Sequence, residues 1–258
     1  MHIKQVMSPS VRIRPVCLCE LRSRCVILAD ETLSLWYFEP AWFYSYPEVF
    51  LEDHGQGIHR ETGISRDIRM SKNNVINGRV SRYLARVLTG NSQVTLARDQ
   101  ITGKPYAVED DSFRFNISHS DNCSVFGAMR GAEVGVDIEE LCDAPDAVSS
   151  IPCFLADAES AVLRKDSSGY ERSVLRLWTL KEAFSKVSGR GIYEDFPTLD
   201  FSCMVPEGIN SGNFGGVTLY TPEINDNVVV SVAVAACYKS VEVCLLRPES
   251  CCLGIKRY

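Results

Sequence analysis

The stretch WTLKEAFSKVSGRG, residues 178–191, has the periodicity of a helix, yet its apolar residues are interrupted by three charges. Lys181, Glu182 and Lys186 stand beside Trp178 and Phe184. On a helix, residues four apart are neighbours, so Glu182 and Lys186 face each other. Taken alone, this pair is an ordinary surface ion pair that contributes about 0.5 kcal/mol. Its meaning depends on a second stretch upstream.

That second stretch is GVDIEE, residues 135–140, which has the alternation of a strand. Successive side chains of a strand point to opposite faces, so Asp137 and Glu139 share one face. Two such carboxylates repel each other; they raise each other's pKa or attract a cation unless water solvates them. Mg²⁺ prefers carboxylate, phosphate and water oxygens. The pair alone leaves two alternatives open, a metal site or a solvated strand face.

Composition excludes several classes of protein. The 258 residues are 45% hydrophobic and 23% charged, with a net charge of −6, which does not favour a nucleic-acid-binding protein. No apolar run is long enough to cross a membrane, and the N-terminus lacks the features of a secretory signal. The eleven cysteines are scattered without zinc-ligand spacing. We therefore expect a cytoplasmic protein with reduced cysteines.

Strand-like and helical patterns occur in both halves of the chain. Apolar runs at 25–29, 35–38, 123–130, 132–140 and 227–238 predict strands, and 113–120 predicts a strand that runs into a polar loop. Helical spacing at 75–89, 155–166 and 171–188 predicts helices, and the polar segment 51–75 predicts a loop leading into the first of them. The polar stretch 142–150 predicts a boundary. The fold class is therefore α+β, with an N-terminal subdomain over 1–141 and a C-terminal subdomain over 142–258.

Three further motifs carry polar or basic side chains. FNISHS at 115–120 places Ser118 and His119 at a strand end, where a lone histidine is either structural or able to bind phosphate. GKPY at 103–106 places Lys104 in a turn. Arg79, Arg82 and Arg86 recur at helical spacing and could share one face of the helix.

In this order and spacing, GKPY, FNISHS, GVDIE and WTLKEAFSK resemble the 4′-phosphopantetheinyl transferase superfamily. The match is closest to the broad-specificity class that activates peptide and polyketide synthetases, and it runs from Arg79 to Ile192. Between the last two motifs, FLADAE at 154–159 is similar to the family's Phe-rich segment that ends in an acid. Residues 1–74 and 200–258 carry no motif of the family that we can match.

The resemblance implies a reaction and a set of ligands. Family members transfer the phosphopantetheine arm of coenzyme A, their substrate, to a serine of an apo acyl or peptidyl carrier protein, and they release adenosine 3′,5′-bisphosphate. It implies that Asp137, Glu139 and Glu182 hold Mg²⁺ at the pyrophosphate. Glu182, directly or through a water, is the implied base. Lys186 is the implied stabiliser of charge on the leaving phosphate.

The resemblance also assigns the remaining polar residues. Ser118, His119 and Lys186 are implied to bind phosphate groups of coenzyme A. Lys104 and Arg79 are implied to contact its nucleotide end, with Arg82 and Arg86 as alternatives to Arg79. For Lys181 the resemblance gives no role, and exposure to solvent is the open alternative.

The resemblance implies a monomer of two similar α+β subdomains related by a pseudo-twofold axis, with coenzyme A in the cleft between them. The expected partner is a carrier domain, for which the basic residues near SVLRLW, Arg172 and Arg176, are a candidate contact. Two rival functions remain open. One is a catalytically inactive module that binds coenzyme A or a carrier; the other is a Mg²⁺-dependent phosphohydrolase.

Overall fold

Two β-sheets form the framework that positions the charged residues. The computed structural model describes residues 10–17, 28–44, 66–163, 168–189, 196–206 and 208–247. The first sheet has five strands in the order β1-β11-β2-β6-β5. They are β1 (Ser10–Cys17), β2 (Thr32–Phe38), β5 (Phe113–His119), β6 (Ser124–Arg130) and β11 (Ser240–Arg247). Strand β11 runs parallel to both β1 and β2, whereas β6 is antiparallel to β2 and β5.

The second sheet has four strands in the order β7-β10-β9-β8. They are β7 (Val134–Glu140), β8 (Ser211–Phe214), β9 (Val217–Tyr220) and β10 (Val228–Val234). All of these pairings are antiparallel, and Asp137 lies opposite Ser231. A separate hairpin joins β3 (Leu96–Arg98) to β4 (Pro105–Ala107).

Helices cover the outer faces of the two sheets. They are α1 (Arg66–Thr89), α2 (Ala144–Ser149), α3 (Ile151–Phe154), α4 (Asp157–Val162) and α5 (Tyr170–Ser188). Helices α1 and α5 are followed by Gly90 and Gly189, with φ of 69° and 68°. Glycine adopts this left-handed conformation without steric cost, so both helices end where the sequence places a glycine.

Alternation along the strands gives the fold its layers. In β2, Trp36 and Phe38 pack against α1, whereas Leu33 and Leu35 belong to the apolar layer between the sheets. That inner layer also receives the even-numbered residues 134, 136 and 138 of β7. The outer face of the second sheet packs against α5. The central strands are thus covered on both faces, which explains why β2, β6 and β10 are buried almost throughout.

The α+β class is confirmed, and so are the strand at 35–38 and the helix at 171–188. The strand predicted within 113–120 ends at His119, and the run at 227–238 is a strand over Val228–Val234. The predicted loop over 51–75 is wrong in its last part, because α1 already begins at Arg66. Its polar side chains are used in tertiary contacts: the buried Asn73 donates to the carbonyl of Asp121 at 2.8 Å. The run at 25–29 lies mostly outside the described residues.

The predicted boundary between residues 141 and 142 stays a prediction. Strand pairing crosses it twice, since β7 joins the sheet of β8–β10 and β11 joins the sheet of β1 and β2. The stretch 142–150 forms a short helical turn and α2. Within the described residues, no helix is long and apolar enough to span a membrane. Six cysteines are described as free thiols, at 123, 142, 153, 203, 237 and 244, and those at 19, 25, 251 and 252 lie outside the described residues.

Candidate active site

The acids of GVDIEE lie on the face of β7 that is turned toward α5. Val134, Val136 and Ile138 occupy the apolar layer between the sheets, so Asp137 and Glu139 point to the opposite face, as the alternation predicted. Asp137 is only 4% exposed. A carboxylate that is buried to this degree requires a cationic or hydrogen-bonding partner.

Gly135, on the same face of β7, allows α5 to approach the strand closely. A Cβ at this position would lie 2.0 Å from the Ala183 carbonyl oxygen and 2.9 Å from the Val187 nitrogen. Backbone therefore packs directly on backbone, which only glycine permits. This approach brings the charged turn of α5, with Glu182 and Lys186, beside the acids of β7.

Lys186 connects α5 to β7 and β5. Its Nζ donates to Asp137 Oδ1 at 2.6 Å, to Ser118 Oγ at 3.1 Å and to the Val136 carbonyl at 3.1 Å. Ser118 Oγ donates to the same Asp137 oxygen at 2.8 Å. The Lys186 side chain is still 27% exposed.

Glu139 is held by the aromatic residue that opens the α5 motif. Trp178 Nε1 donates to Glu139 Oε1 at 3.3 Å. The indole ring makes edge contacts with Phe154 and Phe196, at centroid distances of 5.2 and 6.1 Å. Trp178 thus packs in the core and also contacts the carboxylate, a contact that the sequence did not indicate.

The three acids are electrostatically coupled. Burial raises the pKa of Glu182 to about 7, and the charge of Asp137 adds to this effect. The pKa of Glu139 is also raised to about 7, first by burial and then by Asp137. Asp137 Oδ2 and Glu182 Oε1 are buried without a hydrogen-bond partner. Unpaired buried oxygens are costly, and a cation would satisfy them.

The described side chains do not form a ready-made metal cage. Across the described ranges, no group of three His, Cys, Asp or Glu side chains has the spacing that would hold an ion. Lys186 engages one oxygen of Asp137, and Trp178 engages one oxygen of Glu139. Convergence of the acids on one ion would require these two contacts to rearrange. The unpaired oxygens of Asp137 and Glu182 are of the chemical type that a hard cation prefers.

His119 lies at the end of β5, between the acids and a neighbouring cavity. Burial lowers its pKa, and the charge of Lys186 lowers it further, while Asp137 opposes both. The cavity has a volume of about 460 Å³ and lies between α1, β5 and the β3–β4 hairpin. Arg82 and Arg98 also line it, beside the apolar Leu96, Phe115 and Ile117, so its wall combines cationic and apolar side chains. Arg98 is a lining residue that the motif analysis missed.

The other two arginines of α1 are placed differently. Arg79 is 9% exposed and does not line that cavity, and Arg86 lies in the last turn of the helix. Lys104 contacts the end of α5: its Nζ donates to Glu133 Oε2 at 2.5 Å and to the Val187 carbonyl at 2.9 Å. Roles for Arg79, Arg86 and Lys104 in binding coenzyme A stay predictions.

Lys181 is fully buried, so the alternative of exposure to solvent is wrong. Its Nζ lies 2.7 Å from Glu159 Oε2, and both side chains have no exposed surface. It also donates to the carbonyls of Phe154, Phe196 and Leu199, each at 2.7 Å. Chain segments distant in sequence bury this amine, and the period of the helix could not reveal them. Lys181 therefore ties α5 to the segments that surround it.

Arg172 and Arg176 bind backbone on the other side of α5. Arg172 donates to the carbonyls of Asp226 and Val228, at 3.1 and 3.2 Å. Arg176 donates to the Ile209 carbonyl and, at 2.7 Å, to Thr221 Oγ1. Burial lowers the pKa of Arg176 to about 10. A contact of these two arginines with a carrier domain stays a prediction.

The acids lie within the part of the chain that matches a known protein family. Residues 133–233 match the family model of the 4′-phosphopantetheinyl transferase superfamily. This region contains Asp137, Glu139, Glu182 and Lys186, and it begins after His119.

Curated relatives carry names of the same family. The chain is 40% identical to a 4′-phosphopantetheinyl transferase of Bacillus pumilus, over 35% of this chain and 38% of that protein. It is 33% identical to one of Aneurinibacillus migulanus, over 44% of this chain and 46% of that protein. It is 31% identical to the L-aminoadipate-semialdehyde dehydrogenase-phosphopantetheinyl transferase of Eremothecium gossypii, over 51% of each.

The matches thus span about half the length, or less, of these three relatives. Whether the chain belongs to the broad-specificity class stays a prediction. The resemblance to the superfamily that the motifs indicated is confirmed, and residues 133–233 are its matching region.

Proposed function

We propose that this chain transfers the 4′-phosphopantetheine arm of coenzyme A to a serine of an apo carrier protein and releases adenosine 3′,5′-bisphosphate. One observation carries the proposal. Within the region that matches the family, Asp137 and Glu139 of β7 face Glu182 and Lys186 of α5. Three acids and one lysine at one seam suit the handling of a charged diphosphate.

Asp137, Glu139 and Glu182 would hold the Mg²⁺ that the family resemblance implies. The unpaired buried oxygens of Asp137 and Glu182 support this assignment, because three carboxylates at one seam carry more negative charge than the protein itself neutralises there. When bound, such an ion supplies Lewis-acid activation and a template for phosphate oxygens.

Lys186 would stabilise charge on the leaving phosphate. Its ammonium group is already oriented by Asp137, Ser118 and the Val136 carbonyl, and part of the side chain is exposed to solvent. A donor that is fixed before the reaction stabilises developing charge without reorganisation. His119 would contact a phosphate of coenzyme A from the strand end, and the adjacent cavity would accept the nucleotide portion.

Glu182 would receive the proton of the attacking serine. A serine hydroxyl is a poor nucleophile at neutral pH, so a base is needed, and a base works best when its pKa lies near the working pH. Burial gives Glu182 a pKa of about 7. A neighbouring cation would lower that pKa, which favours transfer through a water rather than directly.

We also propose a monomer with a pseudo-twofold arrangement of its halves, located in the cytoplasm, with carrier domains as protein partners. The arrangement of acids on β7 and a base on α5 supports a site between the two halves. The oligomeric state is measured by sedimentation of the purified chain, and a stable dimer contradicts this part of the proposal.

Mass spectrometry of the carrier tests the reaction. The chain is incubated with coenzyme A, Mg²⁺ and an apo carrier domain, and the expected result is a carrier heavier by one phosphopantetheine arm. Release of nucleotide without a change in the carrier would instead indicate a phosphohydrolase. Tight coenzyme A binding without turnover would indicate an inactive module.

A matched pair of variants links the reaction to the site. Asp137→Ala is expected to abolish transfer and to keep the circular dichroism spectrum of the folded chain. Asp111→Ala changes an exposed acid of the same type and is expected to leave transfer unchanged. Equal activity of the two variants would refute the role of Asp137.

A further inference from the structure

The end of α5 is fixed by a hairpin turn that contains none of the three acids. Asp99 Oδ1 accepts hydrogen bonds from the Ile101 and Thr102 nitrogens, at 3.0 and 2.7 Å, and the Gly103 nitrogen donates to the Asp99 carbonyl at 2.9 Å. The Asp99 nitrogen donates to the Lys104 carbonyl at 2.9 Å. Lys104 therefore projects from a rigid turn rather than from a loose loop.

This turn packs against the C-terminal cap of α5. A Cβ built on Gly189 would lie 2.9 Å from Thr102 Cβ, so the cap and the turn are in direct contact. Lys104 Nζ donates to the Val187 carbonyl at 2.9 Å. Carbonyls in the last turn of a helix have no partner within the helix, and a cation there also opposes the negative end of the helix dipole.

The same amine is paired with the start of β7. Glu133 Oε2 accepts from Lys104 Nζ at 2.5 Å, and Glu133 Oε1 lies 3.0 Å from Arg114 Nε of β5. Glu133 precedes Gly135 by two residues and Asp137 by four. Lys104 thus joins the carbonyl next to Lys186 to the strand that carries Asp137.

We propose that Lys104 and Glu133 are positioning residues that set the register of α5 on β7, and hence the distance between Lys186 and Asp137. This positioning role depends on the proposed function only for its expected effect on kcat. It competes with the nucleotide contact that the family resemblance implies for Lys104, since two of the three N–H donors of this amine are already used by a carboxylate and a carbonyl.

Two variants that remove opposite charges distinguish these roles. Lys104→Met and Glu133→Gln are each expected to lower kcat by about tenfold or more, since small displacements of reacting groups have effects of this size. The dissociation constant of coenzyme A, measured by calorimetry, is expected to change by less than about twofold, because no phosphate contact is lost. Lys104→Arg keeps a cation that can donate to both Glu133 and the Val187 carbonyl, and it is expected to retain most of kcat.

The contrary results are equally specific. If Lys104→Met weakens coenzyme A binding at least about tenfold and Glu133→Gln leaves it unchanged, Lys104 contacts coenzyme A directly. This result would overturn the positioning role. Unchanged kcat in both variants would also overturn it. Lys239→Met is the matched control, because Lys239 is 79% exposed and pairs only with Glu31 among the contacts described.

A measurement independent of activity separates this inference from the proposed function. Hydrogen exchange of the amides at 184–188 reports the opening of the last turn of α5. Lys104→Met and Glu133→Gln are expected to accelerate this exchange, and Lys239→Met is not. If the unaltered chain transfers no arm, accelerated exchange still supports the positioning contact, whereas unchanged exchange refutes it.

Discussion

The substitution Gly135→Ala tests whether close packing of α5 on β7 builds the candidate site. The added Cβ would lie 2.0 Å from the Ala183 carbonyl oxygen and 3.0 Å from Lys186 Cβ. Carbon and carbonyl oxygen rarely approach closer than about 3.3 Å, so the helix must retreat by about 1 Å. Both partners are backbone or Cβ atoms, and no rotation of a side chain can relieve the overlap.

This displacement has two calculable effects. Overpacking of this kind lowers the free energy of unfolding by about 1–3 kcal/mol. A shift of about 1 Å between reacting groups costs about 10²-fold in turnover, because Lys186 then loses its 2.6 Å contact with Asp137. Urea unfolding and the carrier mass assay measure the two effects separately.

Gly78→Ala is the matched control for the unfolding measurement. Gly78 lies inside α1, where an added Cβ meets no atom within 4 Å. Alanine is preferred over glycine in a helix, so this variant is expected to gain about 0.5–1 kcal/mol. Opposite signs for the two alanine substitutions would support the packing argument. A Gly135→Ala chain as stable and as active as the unaltered protein would refute it.

Three further predictions concern the buried charges. The pKa values of Glu139 and Glu182 are raised from 4.5 to about 7, so between these two pH values the folded state keeps protons that the unfolded state loses. Without Mg²⁺, the free energy of unfolding should therefore fall as the pH rises from 4.5 to about 7. In Glu182→Gln, the free energy of unfolding measured with urea should fall less over the same pH range. A pH profile identical to that of the unaltered chain would contradict the raised pKa of Glu182. Lys181→Met should lower stability by about 3–5 kcal/mol by leaving Glu159 unpaired, whereas adding Glu159→Gln should recover part of the loss in the same assay; no recovery would count against the pair. Lys186→Ala should reduce turnover, measured by kinetics, more than it reduces coenzyme A affinity, measured by calorimetry. A larger loss of affinity than of turnover would mean that Lys186 only binds coenzyme A.

The spacing of apolar residues along the sequence predicted individual strands and helices and the faces on which their side chains lie. The alternation of GVDIEE correctly placed Asp137 and Glu139 on one face, and helical spacing correctly identified α1 and α5. In both cases the period of the apolar residues matches the period of the structure.

Contacts between distant segments could not be predicted in this way. Lys181 looked like a solvent-exposed member of a charged run, because the carbonyls that surround it come from segments 15 to 27 residues away. The Glu133–Lys104 contact and the approach of Ala183 to Gly135 likewise depend on tertiary packing. Periodicity describes which face a residue occupies, but it does not describe what packs against that face.

The position of β11 has a consequence for how the chain folds during synthesis. Residues 240–247 lie between β1 and β2, two of the earliest described segments. These two strands have no backbone ladder with each other, so the five-stranded sheet cannot close until residue 247 has left the ribosome. Until then the backbone N–H and C=O groups along these edges of β1 and β2 remain open to water or to chaperones, and nascent chains stalled before residue 240 should be protease-sensitive in this region.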